Sequence, residues 1–331
     1  MSDTTTPFQD IAGLGLEPGI SVVVPVFNSE HTLADLTREI SEVLAPLGRN
    51  FEIILVNDGS IDSSWSKIGS LAESNSKVRG INLSRNFGQH NAKLCGLRHA
   101  RFHITVTMDD DLQHPPQEIP KLVEKIDEGW DVVYGLPEKR HHSWLRNLLT
   151  RVTKVVVGRT TGKPRVMAQS PFRALRTGIR GAFSDYMGPD LLLDVLLGWG
   201  TTRFCSIPVD HRSRRLGRTS YSRRKLLEMG LLTLTAYSTA PLRIASWIGF
   251  ALTGFGICVL CYVVVIRVFV GSVPGFPFLA SLISIFSGTQ LFTLGLFGEY
   301  LTRVFNRSLG RPTYGVRDIV ESGRPADLDV Q

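Results

Sequence analysis

The sequence has few cysteines and gives no sign of a disulfide framework. Four cysteines are scattered among its 331 residues, at Cys95, Cys205, Cys258 and Cys261. Domains that depend on disulfides carry more cysteines in a shorter chain. Cys258 and Cys261 form a C-x-x-C pair, but they lie in an uninterrupted apolar segment. That setting favours helix packing over a redox or metal site.

A secretory signal is also missing at the N-terminus. Residues 1–19 are polar and lack an apolar core preceded by positive charge. We therefore expect a flexible N-terminal segment, followed by a domain that stays on the cytoplasmic side.

Nucleic-acid recognition motifs are lacking as well, although the formal net charge is +7. No recognition helix, zinc finger or RNP-like motif is apparent, so nucleic acid is not an expected partner. The excess charge is local, because residues 203–225 contain a single acid, Asp210. Such a cluster indicates a phosphate-bearing or anionic-lipid partner. Its basic members are Arg203, Arg212, Arg214, Arg215, Arg218, Arg223, Arg224 and Lys225.

Charge is absent from two long segments, residues 244–266 and 276–298. At about 1.5 Å per helical residue, each can cross a hydrocarbon core of about 30 Å. Basic residues flank the pair, with Arg243 before it and Arg303, Arg307 and Arg311 after it. The positive-inside rule places both ends in the cytoplasm. The sequence predicts two transmembrane helices over residues 243–303 and a cytoplasmic tail over 304–331.

The segment before this hairpin, residues 221–242, is basic at its start and apolar afterwards. Arg223, Arg224 and Lys225 precede a leucine-rich stretch. This pattern predicts an amphipathic helix lying in the membrane interface. An ordinary core helix remains the alternative.

Strand and helix patterns alternate through the first part of the chain. β-Branched, apolar runs occupy residues 20–26, 51–56, 78–83 and 104–108, with helical patterns between them. Continuous apolar runs are typical of strands that are buried on both faces of a parallel sheet. Residues 20–220 are therefore predicted to form an α/β domain with a mostly parallel sheet, and its site at the carboxyl ends of the strands.

An acidic triplet, Asp109-Asp110-Asp111, follows the fourth strand. Residues i and i+2 of an extended segment face the same way, so Asp109 and Asp111 can share one cation. Mg²⁺ and Mn²⁺ take oxygen ligands, usually carboxylates together with substrate phosphates. The triplet therefore predicts a metal site, although a solvated acidic turn is the simpler alternative.

The first two strands also end in polar sequences, Phe27-Asn28-Ser29-Glu30 and Asn57-Asp58-Gly59-Ser60. Phe27 offers an apolar face to a base, and Asp58 can accept hydrogen bonds from a base or ribose. Gly59 allows the chain to turn sharply. These strand ends are expected to lie beside the acidic triplet.

These motifs together resemble the signature of inverting family 2 glycosyltransferases with the GT-A fold. The resemblance is strongest to the subgroup that acts on polyprenyl phosphates, which includes polyisoprenyl-phosphate glucosyltransferases and dolichol-phosphate mannose synthases. It extends from about residue 20 to residue 314. The matching motifs lie at residues 22–30, 56–60, 86–90, 109–113, 159–163, 239–243 and 295–300.

The resemblance implies roles for particular residues. Asp109, Asp111 and Arg214 would be catalytic. Asp109, Asp111 and Gln113 would hold Mg²⁺ or Mn²⁺. The residues implied to contact the nucleotide are Pro25, Phe27, Glu30, Asp58 and Asp110. Those implied to grip the acceptor phosphate are Arg140, Arg146, Arg173 and Arg214.

The implied reaction transfers a sugar from a UDP-linked donor to undecaprenyl phosphate, at the cytoplasmic face of a bacterial inner membrane. The product would supply lipid-linked sugar for surface glycan or lipopolysaccharide modification. The acceptor phosphate is already anionic, so no strong general base is needed; a metal and arginines must instead hold two anions in line. The expected partners are the donor, the acceptor, the lipid bilayer and further copies of the chain.

Two departures from the family pattern leave the sugar open. Met167 lies where an acid is expected, and Ser220 lies where a lysine is expected. Arg165 and Arg218 are candidates to compensate. A weakly active transferase or a non-catalytic membrane scaffold remains the alternative. A processive polysaccharide synthase is disfavoured because the chain lacks a Gln-x-x-Arg-Trp motif.

Overall fold

The computed structural model describes residues 15–137, 170–188, 192–212, 240–269 and 275–322. The chain divides into two units. The first comprises residues 1–147, 161–220 and 311–331, and the second comprises residues 148–160 and 221–310. Several predicted features lie outside the described residues: most of the interfacial helix, and Arg140, Arg146, Arg165, Met167, Arg214, Arg218 and Ser220.

The first unit contains an eight-stranded sheet. Its strands are β1 Glu17–Val26, β2 Phe51–Asn57, β3 Val78–Leu83, β4 Phe102–Thr107, β5 Val132–Pro137, β6 Arg173–Arg176, β7 Phe204–Val209 and β8 Val316–Glu321. They lie in the order β7-β5-β6-β4-β1-β2-β3-β8. Strands β4, β1, β2 and β3 run parallel to one another, as do β5 and β7. Strand β6 is antiparallel to β4 and β5, and β8 is antiparallel to β3.

Helices cover both faces of this sheet. They are α1 Leu33–Leu44, α2 Ser64–Ser74, α3 Gln89–His99, α4 Ile119–Asp127 and α5 Leu193–Gly200. One face packs against α1, α2 and α4, and the other against α3 and α5. Every residue of β2 is buried, which explains why this central strand reads as a mainly apolar run without alternation.

The predicted α/β architecture with a mostly parallel sheet is confirmed. The four predicted strands are β1 to β4, and each boundary agrees within three residues. The antiparallel strand β6 was not predicted, because its four residues carry too little pattern to separate them from a loop.

The predicted C-terminal boundary differs from the structure. Residues 304–331 were expected to form a tail outside the catalytic domain, but Val316–Glu321 is the edge strand β8. Asn82 donates to the Asp318 carboxylate at 3.0 Å, and Arg79 Nε lies 3.0 Å from Glu321. The strand covers the edge of β3, which would otherwise present unpaired backbone groups.

The second unit contains two long helices, α6 Ala240–Phe269 and α7 Phe276–Ser308. They contact each other where Gly256 meets the ring of Phe286; a Cβ at this glycine would lie 3.1 Å from the ring. Within the described part of the chain, one segment, Ala245–Ile266 of α6, is long and apolar enough to cross a membrane. The crossing of the membrane by both helices remains a prediction.

Candidate active site

The carboxyl ends of β4, β1 and β2 lie side by side, because these three strands are neighbours in the sheet. The acidic triplet follows β4, Phe27 follows β1, and Asp58 follows β2. The three predicted motifs therefore meet at one edge of the sheet, as the sequence indicated.

The ends of β1 and β2 are tied together by hydrogen bonds. Asn28, whose φ is 53°, donates its backbone N–H to Ser60 Oγ at 3.0 Å and accepts from the N–H of Ile61 at 2.9 Å. Glu30 accepts from the N–H of Ser63 at 2.9 Å. These contacts hold Phe27 at the surface with 48% of its area exposed, where its ring is open to a ligand.

Asp58 is buried, and its carboxylate binds protein backbone. One oxygen accepts the N–H of Phe87 at 2.7 Å, and the other accepts that of Gly88 at 2.9 Å. Burial raises the pKa of Asp58, and the two N–H donors oppose that shift. Asp58 thus fixes the loop that enters α3. Its predicted contact with the nucleotide remains a prediction, as does that of Pro25, which is buried within β1.

The turn after Asp58 requires glycine. Gly59 has a φ of +67°, and a Cβ there would lie 2.6 Å from the backbone nitrogen of Asn86. Gly59→Ala is expected to destabilise the protein by about 1–3 kcal/mol, through strained φ and this steric contact. The measurement is the Tm of the purified chain in detergent. Gly69→Ala is the matched control, because Gly69 lies within α2 with nothing within 4 Å of its Cβ position. Equal Tm values for the two variants would contradict the requirement.

Asp110 points towards the end of β1. Its carboxylate accepts the N–H of Phe27 at 3.1 Å and the hydroxyl of Ser29 at 2.5 Å, and its carbonyl accepts the hydroxyl of Thr32 at 2.7 Å. Burial raises its pKa to about 6. Asp110 therefore links the acidic loop to the segment that carries Phe27.

Asp109 contacts the other side of the site, on α3. One of its oxygens accepts from Gln89 Nε2 at 2.5 Å and from Lys93 Nζ at 2.8 Å. The Lys93 side chain is only 2% exposed, and burial lowers its pKa. The sequence interpretation missed both residues as part of the site. The available signal was that Gln89 and Lys93 are four residues apart, and therefore on the same face of the helix that comes after β3.

The loop after the triplet has a fixed conformation. Asp111 accepts the backbone N–H of Gln113 at 3.2 Å, and Leu112 between them is buried with a φ of 58°. The carbonyl of Gln113 accepts the backbone N–H of Arg212 at 2.8 Å. Both residues predicted here as metal ligands are thus held by the backbone around them.

The donor set suits a hard divalent cation that is also bound by substrate. Across the residues that the structure describes, no group of three or more His, Cys, Asp and Glu side chains could hold a metal ion. The predicted ligands Asp109 and Asp111 carry carboxylate oxygens, and the predicted ligand Gln113 carries an amide oxygen. Mg²⁺ is commonly held by one or two carboxylates together with substrate phosphates, which matches this set.

Arg173, predicted to bind the acceptor phosphate, is 1% exposed and forms an ion pair with Asp194 of α5. Tyr134 donates its hydroxyl to the same carboxylate at 2.7 Å, and its ring lies 5.5 Å from the guanidinium. Burial lowers the pKa of nearby His90 to about 4. The opposite charges within this ion pair and within Lys93–Asp109 shift that pKa in opposite directions. The sequence interpretation missed Asp194 and Tyr134, because nothing in their local pattern marks them.

The family model for glycosyl transferase family 2 matches residues 21–186. An undecaprenyl-phosphate 4-deoxy-4-formamido-L-arabinose transferase from Enterobacter sp. (strain 638) is 34% identical over 308 residues, which cover 92% of this chain and 94% of that protein. The enzyme of the same name from Edwardsiella ictaluri is 34% identical over 312 residues, which cover 92% of this chain and 95% of that protein. The chain belongs to glycosyl transferase family 2.

A solved structure also resembles this glycosyltransferase. It is glucosyl-3-phosphoglycerate synthase from Mycobacterium tuberculosis in complex with Mn²⁺, UDP and phosphoglyceric acid. It is 20% identical, covers 67% of this chain and 78% of its own, and gives a TM-score of 0.49.

Membership of the family confirms the predictions of a glycosyltransferase and of a GT-A fold. The individual roles of the site residues remain predictions.

Proposed function

We propose that this glycosyltransferase moves a sugar from a nucleotide-diphosphate sugar to undecaprenyl phosphate. The observation that carries the proposal is the meeting of three polar strand ends at one edge of the sheet, where Asp110 of the acidic triplet accepts the backbone N–H of Phe27 at 3.1 Å and the Phe27 ring is exposed. The relatives named as undecaprenyl-phosphate transferases, which match along 92% of the chain, support this acceptor.

The donor is proposed to bind across the ends of β1 and β2. The exposed ring of Phe27 can stack on a base, while Pro25, Glu30, Asp58 and Asp110 shape the surface around it. We propose a UDP-linked donor. Glu30, Asp58 and Asp110 accept hydrogen bonds from backbone N–H groups. These bonds hold the surface in place before any ligand arrives, which reduces the entropy lost on binding.

Asp109, Asp111 and Gln113 are proposed to hold Mg²⁺ or Mn²⁺. Such a cation, when bound, supplies positive charge for the diphosphate leaving group. Gln89 and Lys93 orient the Asp109 carboxylate for this task, and the backbone N–H of Gln113 orients Asp111.

The acceptor phosphate is proposed to bind Arg140, Arg146, Arg173 and Arg214. Its oxygen is anionic at neutral pH and can attack without a strong general base, so these arginines mainly position it. The Arg173 side chain pairs with Asp194, which also accepts the hydroxyl of Tyr134. In the sheet, Arg173 of β6 lies opposite Thr107 of β4, two residues before Asp109. Its fixed charge thus lies next to the strand that carries the acidic triplet.

The acceptor is a membrane lipid, and the second unit is proposed to anchor the enzyme where that lipid resides. We propose that α6 and α7 cross a bacterial inner membrane, with residues 221–242 at the cytoplasmic interface. Homo-oligomers in the membrane are also proposed. The length and apolar composition of Ala245–Ile266 support the anchor.

The test is transfer of radiolabel in membranes that contain the protein, undecaprenyl phosphate and Mg²⁺ or Mn²⁺. A panel of labelled UDP- and GDP-sugars is supplied, and the lipid fraction is extracted and counted. Lipid-bound label is expected from one donor, and only when acceptor is present. Membranes without the protein are the control. No lipid-bound label from any donor would overturn the proposed reaction.

A further inference from the structure

We propose that Lys93 weakens the binding of a divalent cation by Asp109 and Asp111 until a nucleotide diphosphate is also present. Lys93 would thereby couple cation binding to donor binding. This inference rests on the metal site of the proposed function and goes beyond it, because it concerns the order in which the ligands assemble.

The geometry places a buried positive charge directly on one of the metal-binding carboxylates. Lys93 Nζ lies 2.8 Å from Asp109 Oδ1, with side-chain exposures of 2% for the lysine and 21% for the aspartate. The lysine is thus shielded from water, while the carboxylate still reaches the surface. Salt and solvent screen such a buried charge much less than an exposed one.

Orientation of Asp109 does not by itself require this charge. The neutral amide of Gln89, one helical turn earlier, donates to the same Asp109 oxygen at 2.5 Å. A neutral donor can hold the carboxylate without repelling a cation. The ammonium of Lys93 adds electrostatic repulsion towards any cation that binds Asp109, and attraction towards an anion.

A nucleotide diphosphate reverses this balance, because its negative charge interacts favourably with both the cation and the lysine. Cation and nucleotide should therefore bind with positive coupling, and each should raise the affinity for the other by the same factor. Free enzyme would stay largely metal-free, so the cation would arrive with the donor.

The experiment measures Mn²⁺ binding by the purified full-length chain in detergent, using electron paramagnetic resonance, without nucleotide and with UDP or GDP. Lys93→Met keeps the length of the side chain and removes the charge. Without nucleotide, this variant is expected to bind Mn²⁺ about tenfold more tightly than the natural protein. With nucleotide the difference should shrink, so the coupling factor falls. Lys125→Met is the control, because Lys125 lies in α4 and pairs with Glu128 away from the site.

The other outcomes distinguish the alternatives. If Lys93 only orients Asp109, Lys93→Met will bind Mn²⁺ more weakly both with and without nucleotide, and the coupling proposal is overturned. Unchanged affinities overturn it as well. If neither protein binds Mn²⁺ under any condition, the proposed metal site itself fails and this inference fails with it. Tm values of the variants, measured in parallel, show whether each remains folded.

Discussion

Asp111→Asn is expected to lower sugar transfer by roughly 10³-fold while the protein remains folded. Asparagine keeps the size of the side chain and an oxygen, but it removes the negative charge that a divalent cation requires. The measurement is kcat/KM for the donor identified by the panel, together with Mn²⁺ affinity. Turnover within tenfold of the natural enzyme would show that Asp111 does not bind the metal.

Asp109→Asn should behave differently from Asp111→Asn, although both carboxylates belong to the same proposed site. Removing the Asp109 charge leaves the ammonium of Lys93 buried without its carboxylate partner. Breaking a buried ion pair from one side costs about 3–5 kcal/mol. Asp109→Asn is therefore expected to lose both activity and Tm, whereas Asp111→Asn loses activity alone.

Asp194→Leu is expected to lower the free energy of unfolding by about 3–5 kcal/mol, because it leaves Arg173 charged and buried without its partner. Tyr134 loses the acceptor of its hydroxyl at the same time. The loss is measured as the shift in Tm of the chain in detergent, with Asp185→Leu as the control on a solvent-exposed aspartate.

The double variant Arg173→Met/Asp194→Leu separates structure from catalysis. Replacing both charges with apolar side chains removes the uncompensated charge, so most of the lost stability should return. If Arg173 also acts on the acceptor phosphate, transfer stays low although Tm recovers. Recovery of both would show that Arg173 has a structural role only.

The sequence was sufficient to predict the centre of the sheet but not its margins. Strands β1 to β4 are largely buried on both faces, and β1 and β2 therefore show as mainly apolar runs. The edge strand β8 is half-buried, and long helices separate it from the other strands. A strand whose partner is more than 200 residues away leaves no local trace of that pairing.

The site was predictable where several adjacent residues carry one chemistry, as in the acidic triplet. In an extended backbone, side chains at successive positions point to opposite sides. Asp109 accordingly contacts Lys93 of α3, whereas Asp110 contacts Ser29 after β1. The partners of those side chains were not predictable. Lys93, Asp194 and Tyr134 lie on three other elements, and only the folded chain brings them to the site.

The pairing of β8 with β3 restricts how the chain can be threaded through a bilayer. Strands β7 and β8 belong to one sheet, so the chain leaves that sheet after residue 209 and returns to it at residue 316. A sheet cannot be divided between two aqueous compartments. The number of crossings between these strands must therefore be even. If α6 crosses once, a second segment must bring the chain back, and α7 follows it directly with 33 residues.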